Sequence, residues 1–283
     1  VLFRSYLAAR CWAGVEIVDA NALDLEAVDG PVWRRAFVID GKPGYVEVGH
    51  TRARRALKLA VRTPALGALS AIVASVRRVF DLDADLPRIE AALAQDALFT
   101  DPIAARPGLR VPGAWAPFEI AVRAILGQQV SVAAATTFAA RVVQRYGALL
   151  AWGGAAPAGL THAFPTAQVL ADAPLEDLGI VRTRAAAIRS FARRVADDAD
   201  FFARMADLDD AVAQLSALPG IGAWTAQYIA MRGLSEPDAF PHRDLGLMRA
   251  FARAGCDPDT LAAHAQGWRP WRAYAAMRLW HLP

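Results

Sequence analysis

Apolar and polar residues partly alternate over four short stretches near the start of the chain: GVEIVDA, VWRRAFVID, GYVEVGH and RALKLAVR. Their β-branched and aromatic content suits half-buried strands. Asp29-Gly30 and Gly41-Lys42-Pro43 supply turns between them. The pattern predicts a small antiparallel sheet within residues 1–62. From Pro64 the apolar spacing lengthens to three and four residues, first in ALGALSAIVASVRRVFDL and then over Leu86 to Ala97, as in a helix. Residues 98–117, which include ARPGLRVPGAWAP, read as a connection. Helices are predicted over 117–146, 166–173, 182–204, 208–217, 223–233, 243–254, 258–266 and 270–281, with an Ala/Gly-rich surface loop at 151–160. The fold class is therefore α+β, a small N-terminal antiparallel sheet domain (residues 1–80) followed by an all-α region (residues 81–283). No internal repeat or long low-complexity segment interrupts it.

Composition narrows the options only modestly. With 283 residues and 55% hydrophobic content, the chain has ample material for a core. A net charge of +3 permits a nucleic-acid partner without demanding one. The basic side chains are almost all arginine, because lysine occurs only at Lys42 and Lys58. Two cysteines, Cys11 and Cys256, are too few for a disulfide framework or a four-cysteine cluster, which fits a reducing, cytoplasmic location. The chain opens without a secretory pattern and holds no apolar run long enough to cross a membrane. It begins with Val rather than Met, so the extreme N-terminus is expected to be missing or altered.

The most informative stretch is LSALPGIGAWTAQYIAMRGLSEPDAFPHRDL, Leu215 to Leu245. Pro219 ends one helix, and Gly220 and Gly222 allow a tight turn into the next. The N–H groups at the start of that second helix lack intrahelical partners and can hold a phosphate. A short Pro-marked loop then leads to a single carboxylate, Asp244. This hairpin with its spaced aspartate, together with FEIAVRAILGQQVSVAAATTFAARVVQRYG at Phe118 to Gly147, resembles the helix–hairpin–helix DNA glycosylases. The likeness is greatest to their DNA-3-methyladenine glycosylase II, or AlkA-type, branch, and it extends more weakly over nearly the whole chain. The resemblance implies an all-α helix–hairpin–helix glycosylase region at 81–283, with room for two helical subdomains flanking an active-site cleft.

What the resemblance implies can be stated residue by residue. Asp244 would be catalytic: a carboxylate near C1′ stabilises oxocarbenium character and can orient or deprotonate the attacking water. An aspartate just before a helix is also an N-cap, and the two roles are compatible. Trp224 stands where the superfamily's bifunctional members carry the lysine that forms an imine, and neither lysine here lies near the hairpin in sequence. The implied chemistry is monofunctional hydrolysis that leaves an abasic site. Trp224, Tyr228 and Trp280 match positions lining the pocket for a flipped base, where cation–π attraction suits a cationic alkylated purine. Trp280 reads equally well as core, and Trp268 and Trp271 read better as core. His281 replaces a tyrosine of the family at the pocket rim. Gln129 occupies the wedge position, filled by leucine in the best-known member, and reads equally as a loop residue. Gly220, Ile221, Gly222 and Thr225 would contact the DNA backbone, while Arg243 reads as solvated and His242 as a loop residue.

No cofactor is required by this chemistry. The family holds a structural monovalent cation (sodium or potassium) on hairpin carbonyls that map to Ser216, Leu218 and Ile221. No His/Cys/Asp/Glu group has zinc-site spacing, and too few cysteines are present for the iron–sulfur cluster of the endonuclease III-like branch. The expected partner is double-stranded DNA containing alkylated bases, bound by a monomer, with no membrane involved and nucleoid association if the source is a bacterium. Two alternatives remain open: a glycosylase of this fold for oxidised or deaminated bases, and a non-catalytic DNA clamp. A clamp needs neither Asp244 nor the aromatic pair. The Pro-Cys-His-Arg acceptor motif of fused methyltransferases is absent, so suicidal methyl transfer is not expected.

Overall fold

A computed structural model describes residues 6–19, 25, 28–51, 56–152 and 158–282. In chain order the elements are α1 (Ala8–Arg10), β1 (Glu16–Asp19), β2 (Val32–Ile39), β3 (Lys42–Thr51), β4 (Ala56–Arg62), α2 (Leu69–Val79), α3 (Leu86–Leu93), α4 (Ala97–Ala105), α5 (Pro117–Leu126), α6 (Val132–Tyr146), α7 (Ala167–Ala171), α8 (Arg182–Ala196), α9 (Leu208–Ser216), α10 (Ala223–Gly233), α11 (Leu245–Arg253), α12 (Leu261–His264) and α13 (Arg272–Trp280). This is the α+β arrangement: apart from the three-residue α1, the strands come first and the helices after. Part of the surface loop expected at 151–160, and the ends of two strand stretches at Ala20 and Arg55, lie outside the described residues.

The chain divides into two compact units, each built from two segments: residues 1–73 with 126–196, and residues 74–125 with 197–283. In the first unit the strands form one antiparallel sheet in the order β1-β2-β3-β4. Six consecutive residues of β2, Val32 to Phe37, are buried, so this strand is covered on both faces. Its two arginines are paired across the sheet. Arg34 faces Glu47 on β3 and also reaches Asp19 at 3.0 Å, while Arg35 pairs with Glu16 on β1. These pairs help fix the register, because a one-residue slip would carry each arginine to the opposite face of the sheet.

In the second unit the core gathers Leu86, Ile89, Phe99, Phe240, Leu247, Phe251 and Trp268 with the buried face of α13. Trp268, 3% exposed, meets the rings of Phe99, Phe240 and Phe251 edge-on, as a core residue. Asp96 ties three segments of this unit together. Its side chain accepts from Leu98 N at 2.9 Å, capping α4, and also takes His264 Nε2 at 2.6 Å and Trp268 Nε1 at 2.8 Å. Burial opposes its ionisation, but the bonds from Trp268, His264 and Leu98 outweigh burial and hold the carboxyl below its usual range. A depressed folded-state pKa adds stability above the unfolded value of about 4, and that gain is lost as pH falls through the folded value. Asp96→Asn is therefore expected to flatten the acid-side decline of Tm; an unaltered pH profile would mean that Asp96 contributes nothing to it.

Several helix boundaries differ from the periodicity. Residues 98–117 are not all connection: α4 runs through Ala105 despite Pro102, because Asp96 caps its start and Phe99 is fully buried. The stretch 117–146 is two helices, broken at 127–131 after Gly127 and restarted by Ser131, whose Oγ accepts from Ala134 N. The helix from 182 stops at Ala196, just before Asp197 and Asp198, whose charges oppose the negative end of a helix dipole. The helix expected at 258–266 is a four-residue α12 flanked by tighter 3₁₀ turns.

Candidate active site

Helices α9 and α10 pack against each other across the turn at Leu218 to Gly222. Ile221 N donates to Leu218 O at 3.1 Å, and Gly220 takes φ 79°, a left-handed conformation that favours glycine. Ile221 is buried and anchors the turn. Gly222 is the N-cap of α10; it offers no side-chain acceptor, and a methyl group placed there would meet nothing within 4 Å. The start of α10 thus faces open space at Gly222. Thr225, one turn in, is only 3% exposed, so what it could offer a backbone phosphate lies in its main chain.

The loop after α10 is fixed at several points. Phe240 N donates to Gln227 Oε1 on α10 at 2.8 Å. Asp238 accepts two bonds from Arg272, at 2.7 and 2.8 Å, and one from Arg269 at 2.8 Å, fastening the loop to the start of α13. Its last turn, Asp244 N to Pro241 O at 2.8 Å, delivers Asp244 as the N-cap of α11.

Three donors hold the Asp244 carboxylate. Oδ1 accepts from Leu247 N at 3.0 Å and from Trp280 Nε1 at 2.9 Å; Oδ2 accepts from Trp224 Nε1 at 3.0 Å. The structure thus brings together four of the residues singled out from the sequence: Asp244, Trp224, Tyr228 and Trp280. Trp224 stacks on Tyr228 with centroids 5.2 Å apart and planes 11° from parallel. Arg232, one further turn along α10, places its Cζ 5.7 Å from the Tyr228 centroid and 5.6 Å from that of Trp280. The contacts close a ring, Asp244–Trp224–Tyr228–Arg232–Trp280–Asp244. His281 donates Nδ1–H to Met277 O at 2.8 Å, and burial above all, then Arg106, Arg232 and Arg278, pushes its imidazole toward the neutral form. Arg243 is exposed and His242 half-buried in the loop.

Gln129 belongs to the other unit. It is exposed, at φ 55°, within the 127–131 break. Arg184 Nη2 holds the preceding carbonyl, Gln128 O, at 2.5 Å.

Residues 2–116 match the AlkA N-terminal domain, and residues 122–272 match the HhH-GPD superfamily of base excision DNA repair proteins. The chain belongs to that superfamily. Among HhH-GPD relatives, DNA-3-methyladenine glycosylase 2 of Escherichia coli is 33% identical over 279 residues, covering 98% of this chain and 91% of the relative. A probable bifunctional transcriptional activator/DNA repair enzyme AlkA of Mycobacterium tuberculosis is 41% identical over 214 residues, 75% of this chain; the match spans only 42% of that longer protein. The solved 3-methyladenine DNA-glycosylase of Archaeoglobus fulgidus superposes with a TM-score of 0.78 at 21% identity, covering 97% of this chain and 91% of that one, and shares the fold.

Two residues of this HhH-GPD site are not singled out by the sequence. Gly246 lies against the carboxylate: a Cβ there would sit 2.9 Å from Asp244 Oδ1 and 3.3 Å from Trp280 Cδ1 and Nε1. No sequence signal marks it, since Trp280 comes 34 positions later. Arg232 did carry a signal, being four residues beyond Tyr228 on the same helical face.

Proposed function

We propose that the chain is a monofunctional DNA glycosylase that hydrolyses the N-glycosidic bond of alkylated bases in duplex DNA, of the 3-methyladenine and 7-methylguanine type, and leaves an abasic site. The observation that carries this reading is the Asp244 carboxylate held by two indole N–H groups that themselves belong to an aromatic cluster. The negative charge meets the positive charge that develops on the sugar, and being held beforehand it needs no reorganisation as the bond breaks. The same carboxylate can orient or deprotonate water. The aromatic faces of Trp224, Tyr228 and Trp280 receive the extruded base. Trp224 replaces the imine-forming lysine, so water alone takes the sugar.

The names of the relatives and the open, uncapped start of α10 support duplex DNA as the partner. Gly220, Gly222 and Thr225 bind backbone phosphate through main-chain N–H groups, while Ile221, whose N–H closes the turn on Leu218 O, anchors that loop, and one protein chain suffices. Gln129, held in a left-handed conformation on an exposed loop, enters the gap left by the flipped nucleotide. The carbonyls of Ser216, Leu218 and Ile221 would be the oxygen ligands of a sodium or potassium ion, which would add positive charge beside the phosphate. No helix among the described residues is long and apolar enough to cross a membrane.

The test is borohydride treatment during turnover on methylated duplex DNA. No covalent protein–DNA adduct is expected, and strands should break only after alkali. A trapped adduct would mean an amine attacks C1′ and would overturn the monofunctional reading.

A further inference from the structure

We propose that the outward face of α11, formed by Leu245, Arg249 and Arg253, is a second DNA-contact surface that grips the lesion-bearing strand beside Asp244. The proposal rests on the glycosylase reading and deepens it, by naming a contact with the DNA partner that the hairpin does not supply.

Asp244 caps α11, and Leu245 is the first residue after the cap. Among the described residues of the second unit, Leu245 is the one large hydrophobic side chain left strongly exposed, at 65%. Arg249 and Arg253 follow it at four-residue steps, so they fall one and two turns further along the same face, and both are exposed. Leu247, Ala250 and Phe251 point the other way and are buried. The fold therefore uses one face of α11 and leaves the other to solvent. Elsewhere in this unit exposed arginines are neutralised: Arg77 pairs with Asp83, Arg204 with Asp198 and Arg269 with Asp238. Arg249 and Arg253 hold no carboxylate among the described residues.

Two hydrogen bonds relate this face to the site. Asp244 Oδ2 accepts from Trp224 Nε1, near the start of α10, and Oδ1 accepts from Leu247 N on α11. The starts of the two helices therefore adjoin, with the carboxylate between them. The open cap of α10 at Gly222 lies on the Trp224 side, and Leu245 lies on the α11 side. A strand held at the hairpin alone can pivot about that contact. A second contact on α11 fixes the position of C1′ against the carboxylate, which is what the reaction requires. The make-up of the face selects the strand as its occupant. One apolar side chain is too little for the apolar centre of a protein interface, whereas it matches the edge of a deoxyribose. Two guanidinium forks spaced about 6 Å along the helix axis match backbone phosphates, which arginine takes bidentately.

The experiment measures, over a range of salt concentrations, the affinity of the full chain for a duplex carrying a tetrahydrofuran abasic-site analogue. The proteins are wild type, Arg249→Gln, Arg253→Gln, the double variant, Leu245→Ser and Arg77→Gln, each with its Tm. Each single variant of Arg249 or Arg253 is expected to lower the slope of log affinity against log salt by about 0.9, and the double variant by about twice that. Leu245→Ser is expected to weaken binding about 10-fold with the slope unchanged. Arg77→Gln, which removes a charge that Asp83 already neutralises, should bind as wild type does. Unchanged slopes in the double variant, or an equal fall in Arg77→Gln, would overturn the contact and leave the glycosylase reading in place. Base release by wild type from methylated duplex is measured alongside. Release of no alkylated base would overturn the glycosylase reading, while the slopes would still decide whether this face meets DNA.

Discussion

The Asp244→Asn protein is expected to release alkylated bases at least about 10³-fold more slowly than wild type while remaining folded. Two features of the structure lead to this. The variant loses the negative charge that opposes the positive charge developing on the sugar. It also breaks the symmetry of the three donors: both carboxylate oxygens accept, Oδ1 from Leu247 N and Trp280 Nε1, Oδ2 from Trp224 Nε1. An amide offers one oxygen, so in either orientation its NH₂ group faces an indole N–H: that of Trp224 if the oxygen keeps the Leu247 cap, or that of Trp280, together with Leu247 N, if it does not. The cap on α11 need not be lost, because Asn caps helices about as well as Asp. Single-turnover release from methylated duplex DNA, measured beside Tm and duplex affinity, separates the two effects. A near-wild-type rate would reduce Asp244 to a helix cap.

Gly246→Ala is expected to lower base release by about 100-fold with little change in Tm, since a misplacement of about 1 Å at a reacting group costs that much. A Cβ at this position would stand 2.9 Å from Asp244 Oδ1 and 3.3 Å from two atoms of the Trp280 ring. The flexible end of the carboxylate gives way first, leaving the Trp280 N–H and shifting the charge. Stability changes little, because weakening of the Asp244 cap on Leu247 N is offset by alanine's greater helix preference, smaller in this first turn than in a helix interior. Activity and stability should therefore part company. If activity and Tm fall together, the substitution disturbs α11 as a whole, and the clearance at Gly246 has no specific role.

The sheet was legible in the sequence because strand stretches and turn residues agreed, even though the buried arginines of β2 blurred the alternation. Their partners, Glu47 and Glu16, become visible only once the register is known. The hairpin and Asp244 were legible from local signals, and the spacing of Trp224 and Tyr228 placed them on one face. The closing of the ring was not, because Trp280 lies 36 residues beyond Asp244 and meets it only through the packing of α13 against α11. The helix through Pro102 was hidden for a related reason: proline reads locally as a stop, whereas burial of Phe99 and the Asp96 cap are properties of the folded unit.

The most direct measurement is to identify what wild-type protein releases from methylated duplex DNA and to examine the strands before and after alkali. Free 3-methyladenine or 7-methylguanine, with strands intact until alkali is added, is the predicted result. Strand cleavage without alkali, or intact bases on DNA that the protein demonstrably binds, would contradict it.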